Sequence, residues 1–172
     1  MKIAVLFSNG TEEIEALTPV DVIRRAGVEC DIVSICGEYP VGSHGITIKA
    51  DKLIEDIDLN LYDAIVIPGG MPGAKYLSEN EKVVSGIIEA ISKNKLVAAI
   101  CASPAVVLGA HGLIGDNMAT CYPAEDFIKV LGKNYTGKSV EVSNKLITAN
   151  GPKSAMEFSL KILEKLGLTA KF

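Results

Sequence analysis

Hydrophobic positions recur along this chain in two rhythms. Unbroken apolar runs, such as Ile3-Ala-Val-Leu-Phe7, Ala64-Ile-Val-Ile67 and Leu96-Val-Ala-Ala-Ile100, alternate with stretches where apolar residues return every three or four positions. The first rhythm predicts buried strands over 2–8, 29–35, 63–67 and 96–100. Brief strands are expected at 46–48 and 118–120, and a hairpin joins 140–142 to 146–149 around Ser143-Asn-Lys145. The second rhythm predicts helices over 11–26, 81–93, 104–113, 124–131 and 154–166. Ile14, Leu17, Val20, Val22, Ile23 and Ala26 mark the inward face of the first, and Val83, Val84, Ile87, Ile88 and Ile91 that of the second; Gly27 and Gly167 stop the first and last. Apolar strands alternating with amphipathic helices predict a mostly parallel sheet covered on both faces. That is a three-layer α/β/α sandwich of flavodoxin or Rossmann type, built as a single domain over residues 1–172.

Composition narrows the function classes. The chain has 172 residues, 48% hydrophobic and 22% charged, which suits one well-filled core. A net charge of −4 argues against a nucleic-acid footprint or an anionic membrane surface. No apolar run approaches the ~20 residues of a membrane span. Met1-Lys2 leads directly into the first strand with no leader pattern, so the expected compartment is the cytoplasm.

Four Cys stand at 30, 36, 101 and 121, without a CxxC, and the only His are His44 and His111. No zinc pattern can be assembled from that set, so no metal site is expected. Cys30 and Cys36 bracket a strand roughly 20 Å long, too far apart to be bridged, and both are expected to be small buried hydrophobes. Free thiols suit a reducing compartment.

In a parallel α/β sheet, chemistry gathers where strands end and helices begin. The informative junction is Ala98-Ala-Ile-Cys-Ala-Ser-Pro104. An apolar strand ends at Cys101, and Pro104 sits in the first turn of a helix, where proline is favoured. This is the pattern of a nucleophile elbow with Cys in place of Ser. The helix N-terminus favours thiolate over thiol, and the N–H of Ala102 is positioned as an oxyanion donor.

The segment Ala99-Ile-Cys-Ala-Ser-Pro104 resembles the cysteine elbow of the ThiJ/PfpI family, closest to its branch of parkinsonism-associated deglycase-like proteins. Ser8-Asn-Gly-Thr-Glu-Glu-Ile-Glu15, Pro19-Val-Asp-Val-Ile-Arg-Arg-Ala-Gly27, Ile67-Pro-Gly-Gly-Met-Pro-Gly73 and Asn150-Gly-Pro152 agree with that family in order and spacing, so the similarity spans essentially the whole chain. The resemblance implies that Cys101 is the reactive nucleophile and that Glu15 is the acid hydrogen-bonded to its sulfur. It also implies that Gly70 and Ala102 supply oxyanion N–H groups. Of the neighbouring acids, Glu15 is expected to face inward and Glu12 to face water.

Several relatives' chemistries do not fit. Amidotransferases of this fold use a late His followed by an acid, and no His lies beyond position 111. The peptidase branch carries His directly after the elbow Cys, where Ala102 stands here. His111 lies along the helix from Cys101, roughly 15 Å away, and reads as a helix C-terminal residue. Some deglycase-like members place a His before the proline of the next strand end; Tyr122 takes that place in Thr120-Cys-Tyr-Pro123. His44, Cys121 and Tyr122 remain as candidate pocket-lining residues. The glycine turns match neither phosphate-binding fingerprint, which disfavours a nucleotide protein.

The resemblance therefore implies a homodimeric, cofactor-free enzyme. Its substrates would be small carbonyls such as glyoxal and methylglyoxal, or glycated protein. The alternative on the same residues is an oxidative-stress sensor or chaperone acting through oxidation of Cys101.

Overall fold

A computed structural model describes all 172 residues. Its centre is a seven-stranded sheet in the order β3-β2-β1-β4-β5-β7-β6, comprising β1 (Lys2–Phe7), β2 (Glu29–Ser34), β3 (Lys52–Leu53), β4 (Ala64–Ile67), β5 (Leu96–Ile100), β6 (Val140–Ser143) and β7 (Leu146–Ala149). All neighbours pair in parallel except β6 and β7, which form the expected antiparallel hairpin. The helices are α1 (Glu13–Arg25), α2 (Gly73–Glu79), α3 (Glu81–Ser92), α4 (Glu125–Leu131) and α5 (Ala155–Lys165).

Every residue of β4 and of β5 is buried, which explains their uninterrupted apolar sequences: both sheet faces are covered. One face packs Ile65, Ile67, Val97 and Ala99 against Leu77, Val83 and Ile87 of α2 and α3. The other packs Ile3, Val5, Ala98 and Ile100 against Val20 and Ile23 of α1 and Phe158 and Ile162 of α5. Full burial of each Leu, Ile, Val or Phe contributes about 1.5–3 kcal/mol, so these two layers dominate folding.

The structure departs from the sequence expectations at several points. α2 lies where only a glycine turn was expected; Pro72 and Gly73 at its start hide a helix that the burial of Ala74 and Leu77 holds in place. The two-residue β3 was also unforeseen. Ile46-Thr-Ile48 forms only a single bridge from Thr47 to Val41, and 118–120 only a bridge from Ala119 to Tyr135. The helix after Cys101 is a wide π-helical turn, Pro104–Leu108, ending in a tight turn at Gly109–His111. Ile14 is 53% exposed, and the first turn of α1 buries Glu13 and Glu15 instead. Ile88 and Ile91 are exposed too.

Candidate active site

Cys101 follows the last residue of β5 directly, at the C-terminal edge of the sheet. Its φ is +65°, a left-handed conformation that costs a non-glycine residue about 1–3 kcal/mol. Two strand-end contacts hold it there. The Cys101 N–H donates to Ala149 O at 2.9 Å, and its carbonyl accepts from the Tyr122 N–H at 2.8 Å. The chain then turns helical at once, with the Val106 N–H donating to Ala102 O at 2.8 Å. The buried Ser103 hydroxyl donates to Pro68 O and so ties this elbow to the glycine turn after β4. The thiol is only partly covered, and the backbone N–H groups of Gly70 and Ala102 favour its charged form.

The glycine turn must be glycine because two backbones meet there. Gly70 has φ +86°, and a Cβ on it would stand 2.5 Å from both Glu12 N and Gly10 O. A Cβ on Gly69 would stand 2.6 Å from both Cys101 Cβ and Glu15 Oε2. The loop before α1 is docked on this turn by the Glu12 N–H, which donates to Gly69 O at 3.0 Å.

Glu15 has no exposed surface. Its Oε2 accepts from the Gly69 N–H at 2.8 Å, while Oε1 is buried without a hydrogen-bond partner. Burial pushes the Glu15 carboxyl up to about 7, against the pull of the neighbouring Cys101 thiol and the Gly69 N–H. The Cys101 thiol is also driven up, first by burial and then by the negative charge of an ionised Glu15; the N–H groups of Gly70 and Ala102 oppose this. The two groups thus compete to keep one charge between them. The net direction is toward the thiol, the opposite of what a helix N-terminus alone predicts, and the strained Cys101 stands beside a buried acid.

The DJ-1/PfpI family model matches residues 1–165. The chain belongs to the DJ-1/PfpI family. Protein DJ-1 homolog B of Arabidopsis thaliana is 35% identical over 96% of this chain, which spans only 38% of that protein. A Caenorhabditis elegans relative named glutathione-independent glyoxalase DJR-1.2 is 34% identical, over 90% of this chain and 82% of its own. The solved structure of oxidized Toxoplasma gondii DJ-1 superposes with a TM-score of 0.92 at 42% identity, covering 96% of this chain and 90% of that one.

Other residues marked by the DJ-1/PfpI resemblance fall in different places. Tyr122 is half-exposed and borders a shallow cavity of about 400 Å³ beside the elbow, with Asn150, Gly151 and Lys153. Cys121 does not line a pocket: it is fully buried in the core, and burial pushes its thiol up to about 11. Cys30 is likewise buried, its thiol pushed up to about 12. Cys36, expected inside, is exposed at the end of β2, where its sulfur accepts from the Asn9 N–H at 3.2 Å. His111 bonds Ser78 of α2 at 3.0 Å rather than a carbonyl of its own helix.

Glu12 does not face water. It is 8% exposed and caps α1, its Oε2 accepting from the Glu15 N–H at 2.8 Å. Glu13 is also buried and anchors the loop before β3, accepting from the N–H groups of His44 (2.9 Å) and Ile46 (3.3 Å). Burial opposes its charge, but these donors and the His44 imidazole hold it below the usual carboxylate range. His44 itself is exposed, attached to these acids rather than to Cys101. Sequence reasoning missed Glu12, Glu13, Gly69 and Ser103; only the tight Pro68-Gly69-Gly70 signature hinted at any of them.

Proposed function

We propose that this protein is a cysteine-dependent enzyme acting on small reactive carbonyls or their protein adducts, and that it needs no cofactor. The observation that carries the reading is the half-covered thiol of Cys101, with two N–H donors and a buried carboxyl titrating near neutrality around it. With methylglyoxal, the thiolate attacks the aldehyde carbon and forms a C–S bond. The carbonyl π pair moves to oxygen, rests against the N–H groups of Gly70 and Ala102, and takes the Glu15 proton. The resulting Glu15 carboxylate moves the C–H proton of the hemithioacetal to the neighbouring ketone carbon, while the hydroxyl proton passes to the ketone oxygen, which yields a thioester. Water cleaves the C–S bond to give lactate and the free thiol. The net reaction is methylglyoxal plus water to lactate, an internal oxidation and reduction that balances without an added redox partner. A relative named glyoxalase supports this class of substrate.

A second reading has its own support. The unpartnered Glu15 Oε1, when protonated, is a donor for the oxygens of an oxidised Cys101, and a relative's structure was solved oxidized. A homodimer belongs to both readings; Ile14 of α1 and Met156 and Leu160 of α5 are exposed apolar side chains available to it.

The deciding experiment is methylglyoxal consumption by wild type and Cys101→Ser, with a buffer control for spontaneous adduct reversal. Turnover lost in the variant is the expected result. Equal turnover in both proteins overturns the enzyme reading. No turnover in either, with selective peroxide oxidation of Cys101, favours the sensor.

A further inference from the structure

Glu12, Glu13 and His44 take no part in the chemistry assigned to Cys101, yet they converge. His44 Nδ1 lies 3.2 Å from Glu13 Oε2 and 3.9 Å from Glu12 Oε1, and the three ligand atoms all fall within 4.8 Å of one another. We propose that these residues form a binding site for a divalent transition-metal ion of the zinc or copper class.

Donor spacing is the first argument. Ligand atoms held about 2.0–2.2 Å from a tetrahedral ion stand roughly 3.3–3.6 Å apart. The observed separations bracket that value, so one ion fits after a small rotation of an exposed imidazole. One imidazole with two carboxylates selects first-row transition metals over calcium or magnesium, which prefer oxygen alone.

Preorganisation is the second. Each carboxylate is fixed by backbone donors on one oxygen and presents the other toward His44. Glu12 Oε2 caps the Glu15 N–H, leaving Oε1 without a hydrogen-bond donor although its side chain is only 10% exposed. Glu13 Oε1 takes the N–H groups of His44 and Ile46, leaving Oε2 to the Ser43 hydroxyl (3.3 Å) and the imidazole. Gly42 is packed so tightly on Glu13 that a Cβ there would overlap its carboxyl, which fixes the acid's rotamer. The third ligand, His44, is 72% exposed and free to close over an ion.

Charge is the third. Two nearly buried carboxylates on adjacent residues repel each other, and no Lys or Arg pairs with either. The His44 imidazole is the only basic side chain that reaches them. A metal ion would sit where His44 Nδ1 now meets Glu13 Oε2, with at least one coordination position open to solvent. Cys101 is not a ligand, so the site stands or falls separately from the carbonyl chemistry.

The test is calorimetric titration of Zn²⁺ alone into the full chain carrying Cys36→Ser and Cys101→Ser, which removes competing accessible thiols. One saturable equivalent is expected. His44→Gln changes only an exposed side chain and should weaken binding at least about tenfold, with His111→Gln neutral. Glu12→Gln, checked for folding by circular dichroism, should weaken it comparably. Cu²⁺ bound to the same protein should show coupling to one nitrogen in its electron paramagnetic resonance spectrum, lost in His44→Gln. Absence of saturable Zn²⁺ binding, or binding unchanged by His44→Gln, overturns the proposal.

Discussion

The backbone N–H of Gly69 donates to Glu15 Oε2 at 2.8 Å, which sets the buried acid beside the Cys101 thiol. No side chain larger than hydrogen fits between the two functional residues at this point. Gly69→Ala would set a Cβ 2.6 Å from both Cys101 Cβ and Glu15 Oε2 and 2.9 Å from Ile100 O. We expect a loss of about 1–3 kcal/mol in urea unfolding and a strong fall in carbonyl turnover. A variant with unchanged stability and activity would show that the elbow and the glycine turn are not rigidly coupled.

Glu15 gives stability a defined pH dependence. Burial raises its carboxyl from 4.5 to about 7, so the native state holds this proton more tightly than the unfolded chain. Its stabilising contribution is full below pH 4.5 and is lost as pH rises through about 7. Relative to Glu15→Gln, which cannot ionise, wild type should lose about 3 kcal/mol across that window. Urea midpoints of both proteins at about pH 4, 5.5 and 8 measure the difference; parallel profiles would refute the assignment.

The same pair governs the thiol. With its proton in place, Glu15 donates to sulfur; once ionised, it repels a thiolate. Glu15→Gln keeps a donor and should leave a thiolate accessible at Cys101, whereas Glu15→Leu should raise the thiol pKa. Thiolate absorbance against pH for the three proteins reads this directly. A lower Cys101 pKa in Glu15→Leu would mean that Glu15 is charged in the native protein and is not a proton donor.

Cysteine labelling should divide the four thiols by burial. Cys30 and Cys121 are buried, out of reach of the reagent, and should resist iodoacetamide in the native state. Cys101 should react first and Cys36, which is exposed, second. Peptide mass spectrometry after brief alkylation tests the order, and faster labelling of Cys30 or Cys121 contradicts it.

Glu13 should matter to the loop rather than to the thiol. Glu13→Gln replaces a carboxylate that accepts from His44 and Ile46 with a weaker acceptor and should cost about 1–3 kcal/mol. Hydrogen exchange should rise at the His44 and Ile46 amides and stay low in β5. Unchanged protection at those two amides would remove Glu13 from this role.

Light scattering at micromolar concentration should report a homodimer. A mass near 18.2 kDa would contradict it.

Much of this molecule was legible from local pattern, because the forces concerned are local. Strands buried on both faces need unbroken apolar runs, as in Leu96–Ile100, and helices packed on one side need a repeat near 3.6, as in Val20 and Ile23 of α1. Cys101 announced itself because an elbow requires small residues and an early proline within three positions. Other features had no local signature. Gly69 meets Glu15 across 54 positions of sequence, and His44 meets Glu13 across 31. Glu12, Glu13 and Glu15 are the same residue type within a single helical turn. One caps the helix, one anchors a distant loop and one sits under the thiol, according to which backbone N–H the fold brings to each. A carboxylate's role is set by its donors and its burial, and both are supplied by chain segments remote in sequence, so only the folded structure could separate the three.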